Sequence, residues 1–352
     1  MAKSFVKVNN EIRNIDRAAV KDQNGDYRIV KNIYAKVNVG GGVFWEKVLT
    51  SNPVYALILE NGILNVCSAI DFEVVTTIDF TSYSIDKIIY SNNYAYFHEH
   101  DGATIKMDLK DFLIIEDYAG NWRDVGALED GSLYFLTSNS ISVIDSNEVT
   151  TTYNATLQSG EEFTRFCVDT EGFCYCLTTN ERLIKINTVL QQVEYSISIS
   201  GYEVSLYDNP SVDDNNFYCG TGVNIALFIN KNSGQISIKI LSFSRTKKIK
   251  TDNVEFFYSI FEESGIAKFS MQNGAMEDSF QFGTGYFVTD MEISYNGNIY
   301  AIAQNDINYK FVKLDNNFQI IFEKTLTKTN DNHKLSVFPG NFGGGFWNKY
   351  IQ

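Results

Sequence analysis

Short runs of alternating apolar and polar residues fill the chain from about residue 50 onward, and each run ends in a cluster of Gly, Asn, Asp or Ser. Alternation of period two predicts half-buried β-strands, and no stretch shows the i, i+3, i+4, i+7 spacing of an amphipathic helix. Only 3 prolines occur in 352 residues, so few strand interiors would be interrupted. The pattern therefore predicts an all-β protein.

One hairpin pattern recurs about every 41 residues: an apolar strand, a tight polar turn and a second strand that opens on an aromatic or apolar residue. Its eight copies span 47–59, 87–98, 125–136, 165–177, 211–220, 258–270, 291–303 and 334–347. Two further alternating runs follow a typical copy, as in 140–154. Four strands in about 41 residues make one blade of a β-propeller, so the repeat predicts that fold.

The last copy decides how many blades close the ring. If residues 334–339 form the innermost strand of the blade that begins at Val54, the ring has seven blades of four antiparallel strands. If the last copy pairs instead with strands from residues 27–47, the ring has eight. We favour seven. The chain then divides into a small N-terminal β segment, residues 1–50, and a propeller, residues 51–352, closed by a C-terminal strand.

Two Gly-rich segments are near copies of each other, NVGGGVFWEKV at 38–48 and NFGGGFWNKYI at 341–351. One interpretation is that they lie together, because a run of glycines lets backbones approach closely. Trp45 and Trp347 would then be core or junction residues. The alternative is that both segments are ordinary strand–turn–strand units.

The first fifty residues contain no copy of the repeat, and KNIYAKVNVGGGVFWEKV at 31–48 leads from a lysine-rich strand through a Gly run to a Trp-Lys-Val strand. This segment resembles one found in bacteriophage tail and baseplate proteins. The resemblance implies a component of a phage tail or a tail-like bacteriocin. Residues 1–50 would attach to other tail or baseplate proteins, and the propeller would face the host. A homotrimer, usual for phage adhesins, is implied in the same way.

Composition bears on where the protein is found and on which partners it can bind. No run of 18 or more apolar residues occurs, and MAKSFVKVNNEIRN lacks the apolar core of a signal peptide. We therefore expect synthesis in the bacterial cytoplasm and assembly into a virion or extracellular particle, without a membrane span. A net charge of −14 argues against nucleic acid as a partner. The basic cluster Arg245, Lys247, Lys248 and Lys250 is interpreted as a solvated turn between blades.

Two strings contain metal-ligand residue types. The turn at 169–172 predicts Cys167 opposite Cys174, with Cys176 on the same face, where three thiols could pack as small apolar groups, bind a metal or form a disulfide. His98 and His100 alternate on one strand, which we interpret as a polar blade rim. In both strings the structural interpretation is favoured, so no metal and no cofactor is predicted.

Signatures of catalysis are missing from the sequence: there is no GxSxG elbow, no Walker A loop, no HExxH helix and no sialidase Asp-box. We therefore predict a protein that is not an enzyme. The favoured function is a structural and adhesive particle component whose propeller binds a host-surface glycan or protein. An intracellular protein-interaction scaffold and a glycan-cleaving propeller enzyme are the alternatives.

Candidate contact residues are aromatic and polar side chains at predicted blade rims, because Tyr and Trp stack on sugar rings and Asn and Asp bond hydroxyls. They are Tyr118, Asn121, Trp122, Tyr207, Asp208 and Asn209. The alternative is that these are ordinary solvent loops, with Trp122 packed under a blade.

Overall fold

A computed structural model gives the structure of the chain. It describes residues 4–8, 11–15, 19–21, 27–29, 32–39, 42–49, 55–60, 62–68, 73–91, 94–109, 111–128, 130–204, 210–213, 215–241, 246–251, 255–261, 264–293, 297–327 and 333–338. These residues form strands, turns and loops, with no helix among them, and so none that could cross a membrane.

Three antiparallel hairpins precede the repeats. They pair β1 (Ser4–Val8) with β2 (Glu11–Ile15), β3 (Ala19–Lys21) with β4 (Tyr27–Ile29), and β5 (Asn32–Val39) with β6 (Gly42–Leu49). Trp45 lies in β6 opposite Lys36 in β5. Trp347, its predicted counterpart, is outside the described residues.

Seven four-stranded antiparallel sheets follow, and each is one blade. Blade 1 contains β7 (Tyr55–Glu60), β8 (Ile63–Ser68) and β9 (Val74–Asp79); blade 2, β10 (Ile85–Ser91), β11 (Tyr94–Glu99), β12 (Gly102–Asp108) and β13 (Ile114–Trp122). Blade 3 contains β14 (Asp124–Ala127), β15 (Leu133–Leu136), β16 (Ser140–Ile144) and β17 (Thr150–Asn154); blade 4, β18 (Phe163–Val168), β19 (Phe173–Thr178), β20 (Arg182–Asn187) and β21 (Gln192–Ser198). Blade 5 contains β22 (Ser211–Val212), β23 (Asn216–Cys219), β24 (Ile225–Asn230) and β25 (Ile236–Ile240); blade 6, β26 (Thr246–Thr251), β27 (Phe256–Phe261), β28 (Gly265–Ser270) and β29 (Met276–Gln281). Blade 7 contains β30 (Phe287–Ile293), β31 (Ile299–Gln304), β32 (Asn308–Leu314) and β33 (Ile320–Thr327), and β34 (His333–Phe338) completes blade 1.

Strand β34 closes the ring. It pairs antiparallel with β7 from His333 opposite Glu60 to Phe338 opposite Tyr55, so blade 1 contains strands from both ends of the repeat region. The predicted closure by residues 334–339 and the count of seven blades are confirmed. The predicted hairpin at 47–59 is wrong, because β6 pairs with β5 and the inner neighbour of β7 is β34.

Blade 6 differs from the predicted arrangement. The segment 258–270 forms the second and third strands, β27 and β28, whereas prediction made it the first and second. The innermost strand is β26, so Lys247, Lys248 and Lys250 lie on a strand and not in a solvated turn, whereas Arg245 is outside the described residues. The error arose because the turn before Gly265 has the same polar and glycine composition as the turns between first and second strands.

A cluster of buried apolar side chains fills each gap between neighbouring blades, which makes seven clusters among the described residues. The second strand of six blades places a buried tyrosine in the gap that leads to the next blade: Tyr96, Tyr134, Tyr175, Tyr218, Tyr258 and Tyr300. Such large flat rings fit the gap between splayed sheets and bury much apolar area each. The inter-blade core therefore repeats with the sequence.

A lysine on the third strand lies opposite this tyrosine in blades 2, 4, 6 and 7. In three of them the ammonium lies over the ring two residues before the tyrosine: Lys106 over Tyr94 at 4.6 Å, Lys185 over Phe173 at 4.1 Å and Lys268 over Phe256 at 4.0 Å. In blade 7 Lys313 lies 5.2 Å from the centre of Tyr300 itself. Each contact contributes about 0.5–2 kcal/mol, more where it is desolvated.

The predicted arrangement of the three clustered cysteines is wrong. Cys174 pairs with Val168, while Cys167 pairs with Tyr175, one residue away from the predicted register. Because a one-residue shift exchanges the two faces of a strand, Cys174 and Cys176 face blade 3 and Cys167 faces blade 5. All three thiols are free and buried, and burial raises their pKa well above the usual value. They pack as small apolar groups.

Candidate functional site

The outer strand of blade 2 brings together three of the predicted contact residues. Tyr118, Asn121 and Trp122 all lie on β13, with Asn121 exposed and the two aromatic side chains half-buried. The other three predicted residues, Tyr207, Asp208 and Asn209, lie outside the described residues.

The two aromatic side chains of β13 rest on the same ring of blade 3. The Phe135 ring centre is 4.9 Å from that of Trp122 and 5.5 Å from that of Tyr118. Trp122 Nε1 also donates to the backbone oxygen of Tyr118 at 3.3 Å. These contacts agree with the alternative interpretation, in which Trp122 packs against a blade, and Trp122 remains partly exposed.

A glycine makes room for the indole. A Cβ on Gly120 would lie 2.3 Å from Cε2 of Trp122, closer than real Cβ contacts come. The ladder between β12 and β13 is irregular here, with Gly102 opposite Trp122 and Thr104 opposite Tyr118. This irregularity turns the end of β13 so that the indole folds back over the strand.

Polar groups surround the aromatic pair. The Tyr118 hydroxyl donates to Oε2 of Glu116 at 2.6 Å, and Lys106 Nζ lies 3.4 Å from the same oxygen. Burial, and then the hydrogen bond to Glu116, raise the pKa of Tyr118, so its phenol stays protonated. We name the set Tyr94, Lys106, Glu116, Tyr118, Asn121 and Trp122 the blade 2 platform.

Ion pairs bridge neighbouring blades along the inner strands. Lys87 Nζ lies 2.7 Å from Oδ1 of the fully buried Asp124, and donates to the Val125 carbonyl at 2.9 Å. The second oxygen of Asp124 accepts the Phe166 amide of blade 4 at 3.0 Å. Burial alone would raise the pKa of Asp124, but the positive charges of Lys87 and Arg165 outweigh it and hold the pKa below its usual value. One carboxylate therefore joins three blades.

The same arrangement recurs between blades 6 and 7. Lys248 contacts Asp290 and lies 2.9 Å from Glu292, and Lys250 lies 3.3 Å from Glu292. Burial opposes the charge on Lys248, but the two carboxylates outweigh it and raise the pKa of Lys248. The lysines that sequence analysis placed in a solvent loop thus hold two inner strands together.

Two arginines extend the network next to the Lys87–Asp124 pair. Arg165 of blade 4 reaches Asp86 of blade 2, with Nη2 and Oδ2 2.7 Å apart. Arg123 of blade 3 donates to the Phe163 carbonyl and to Glu162 of blade 4, at 2.7 and 2.6 Å. Sequence reasoning missed this network, because its partners come from different repeats about 40 or 80 residues apart. Charges at equivalent positions of successive repeats are the signal that could have revealed it.

The two histidines predicted at a polar rim differ in their exposure to solvent. His98 is fully buried and bonds Thr104 at 3.0 Å, whereas His100 is partly exposed, with Nδ1 2.8 Å from the Arg123 carbonyl. The rim prediction is therefore wrong for His98. In the part of the chain that the structure describes, no group of three or more His, Cys, Asp or Glu side chains could hold a metal ion.

Burial of His98 makes the fold sensitive to acid. Desolvation lowers the pKa of His98 from 6.5 to about 4. The unfolded chain takes up a proton below pH 6.5 while the folded chain does not until about pH 4, so stability falls as pH decreases across that window. Between pH 7 and pH 5 we expect the free energy of unfolding of the His98→Asn variant to fall by about 2 kcal/mol less than that of the wild type. Urea unfolding at both pH values measures the difference, and equal losses would contradict the assignment.

No family model matches the chain, and no curated protein matches it. Similar solved structures include the dihydro-heme d1 dehydrogenase NirN in complex with DHE, with a TM-score of 0.59, 10% identity and coverage of 85% of this chain and 77% of that chain. The Cps50 (Swd1) β-propeller domain of Myceliophteria thermophila has a TM-score of 0.56 at 9% identity, covering 74% and 91%. The Pan2 WD40 domain of Neurospora crassa has a TM-score of 0.59 at 8% identity, covering 80% and 87%.

The chain is a seven-bladed β-propeller. At identities of 8–10% these likenesses show the fold alone. None of the three is a tail protein, so the resemblance of residues 31–48 has no counterpart among them.

Proposed function

We propose that this propeller is a recognition module that binds a bacterial surface glycan through the blade 2 platform. We also propose that residues 1–50 attach it to a phage tail or tail-like particle. The observation that carries the first part is the half-buried Tyr118–Trp122 pair, fixed on Phe135. The resemblance of residues 31–48 to tail and baseplate segments supports the second part.

The chemistry of the platform suits a sugar. A pyranose ring presents apolar C–H groups on one face, which stack on an indole or phenol, and hydroxyls at its edge. Asn121 offers both a donor and an acceptor, and the side chain of Glu116 is about half exposed with acceptor capacity left. Because Phe135 fixes both aromatic rings, little side-chain entropy would be lost on binding.

Titration of the whole chain with purified bacterial cell-wall polysaccharide tests the proposal. We expect the Trp122→Ala variant to bind about tenfold more weakly, since losing an aromatic anchor costs about 1.4 kcal/mol or more. Gly120→Ala should weaken binding as well, because the new methyl group displaces the indole. Phe287→Ala is the matched control, as it removes an exposed aromatic ring on blade 7.

Three outcomes would contradict the proposal. Equal affinity of the Trp122→Ala variant and the wild type for the polysaccharide would show that the platform takes no part in glycan binding. Release of reducing ends from the polysaccharide would favour a glycan-cleaving enzyme. Failure of the wild-type chain to bind any surface polysaccharide would favour a protein-interaction scaffold. Thermal unfolding of each variant shows whether the fold is retained.

A further inference from the structure

A repeated row of side chains crosses four of the blades. In this row a lysine on the third strand lies between the buried tyrosine of the second strand and one residue of the outer strand. The outer residue is acidic in blades 2 and 6, where Glu116 and Asp278 lie opposite the lysine. It is Tyr195 in blade 4 and Phe322 in blade 7. The outer strand of blade 4 therefore offers its lysine, Lys185, a hydroxyl and no carboxylate.

The ammonium of Lys185 is buried without a carboxylate partner. The residue is 7% exposed, and in the part of the chain that the structure describes it forms no ion pair. Its Nζ donates to the backbone oxygen of Lys231 at 3.0 Å, and it lies 4.1, 5.6 and 5.9 Å from the ring centres of Phe173, Tyr175 and Tyr195. Two of its three donors are left uncommitted. Burial lowers the pKa of Lys185, which agrees with a charge that its neighbours do not fully balance.

The hydroxyl of Tyr195 is a further uncommitted donor. It is buried and has no hydrogen-bond partner among the described residues. Burial raises the pKa of Tyr195, so the phenol stays protonated. Tyr195 and Lys185 face the same gap, because the Tyr195 ring packs against the apolar cluster between blades 4 and 5 and Lys185 donates to a backbone oxygen of blade 5. Since buried donors without a partner are costly, an acceptor in this gap would stabilise the protein.

The charges around these donors leave an excess of one positive charge. Lys231 Nζ lies 3.3 Å from Oδ2 of Asp169, and both side chains are buried. The oxygens of Asp169 also accept a tyrosine hydroxyl and two backbone amides, so this carboxylate balances Lys231 and is fully engaged. Glu171 and Glu194 also act on Lys185, but both are exposed, where water and salt screen their charge. The charge of Lys185 therefore stays unbalanced.

We infer that a small monovalent anion of halide size binds between blades 4 and 5, held by the ammonium of Lys185 and the hydroxyl of Tyr195. One such anion neutralises the excess charge and accepts hydrogen bonds from donors that the protein leaves unpaired. Phe173 and Tyr195 are partly exposed, so the site lies near the outer surface of the ring. It is on other blades than the blade 2 platform and goes beyond the proposed function.

Urea unfolding in sodium chloride and in sodium gluconate of equal ionic strength tests the inference, because gluconate is much larger than a halide. We expect chloride to raise the unfolding midpoint of the wild type. At about ten times its dissociation constant, chloride should raise the folding equilibrium constant about elevenfold. Lys185→Met should lose this dependence, and so should Tyr195→Glu, which places an acid opposite Lys185 as in blade 2. The matched control is Lys268→Met in blade 6, where Asp278 already lies opposite the lysine, and it should keep the dependence.

Chloride NMR line widths measure binding directly in the folded protein. The wild type should broaden the chloride signal, and Tyr195→Phe, which removes only the hydroxyl, should reduce the broadening severalfold. Equal unfolding midpoints of the wild type in chloride and gluconate would overturn the inference, because water would then be the partner of the hydroxyl. A chloride dependence or line broadening that is unchanged in Lys185→Met and Tyr195→Phe would overturn it as well, since the anion would then bind elsewhere.

Discussion

Ending the chain before His333 is expected to abolish its cooperative unfolding transition. β34 is the innermost strand of blade 1, and its loss opens the sheet along β7, where Ala56 and Leu57 are fully buried. Each buried backbone group left without a partner costs about 1–3 kcal/mol. Over a six-residue ladder this cost is comparable to the 5–15 kcal/mol that typically separates folded from unfolded chains. Urea unfolding followed by circular dichroism measures the effect.

The matched control ends the chain after Phe338, which keeps β34 and removes the fourteen residues that follow. We expect this chain to unfold in one sharp transition. If the chain that lacks β34 unfolds just as sharply and at the same urea concentration, the ring does not depend on the closing strand.

Replacing Asp124 with alanine is expected to destabilise the fold by about 3–5 kcal/mol, the usual cost of removing one partner from a buried ion pair. The substitution leaves the Lys87 ammonium unpaired at a site where the carboxylate is fully buried, and takes the acceptor from the Phe166 amide. A second change, Lys87→Met, should recover part of the loss, because no charge is then left unpaired. Urea unfolding of the wild type, the Asp124→Ala variant and the double variant measures these differences in the free energy of unfolding.

Glu73→Ala supplies the comparison for this prediction. Glu73 and Lys324 also join neighbouring blades, at 3.5 Å, but the glutamate side chain is 76% exposed. An exposed ion pair contributes about 0–1 kcal/mol. Equal losses from Asp124→Ala and Glu73→Ala would show that the inner pair does not hold the blades together.

Features encoded within one repeat could be predicted from the sequence. The alternation of each strand, the polar turns and the spacing of about 41 residues are local signals, and they indicated the propeller and its seven blades. The closing strand was predictable as well, since the apolar pattern at 334–339 had no second pair of strands after it. Three of the six predicted contact residues meet on β13 for the same reason, because they are close in sequence.

Features that depend on contacts between repeats could not be predicted in this way. Lys248 and Lys250 look like solvent-exposed charges until Asp290 and Glu292 are placed beside them by the neighbouring blade. The turn between β18 and β19 contains one residue more than predicted. The pairing of these strands is therefore shifted by one residue, and Cys167 faces the opposite side of the sheet from Cys174. The indole of Trp122 is positioned by Phe135 of the next blade.

Hydrogen exchange of the amides in β34 tests the closed ring most directly. β34 is an edge strand of its sheet, so every second amide of residues 333–338 bonds to β7, and these amides exchange only when the ring opens. They should be protected as strongly as the amides of β8 in the same blade. Exchange of residues 333–338 within seconds, while the strands of blades 2 to 7 stay protected, would contradict a ring closed by this strand.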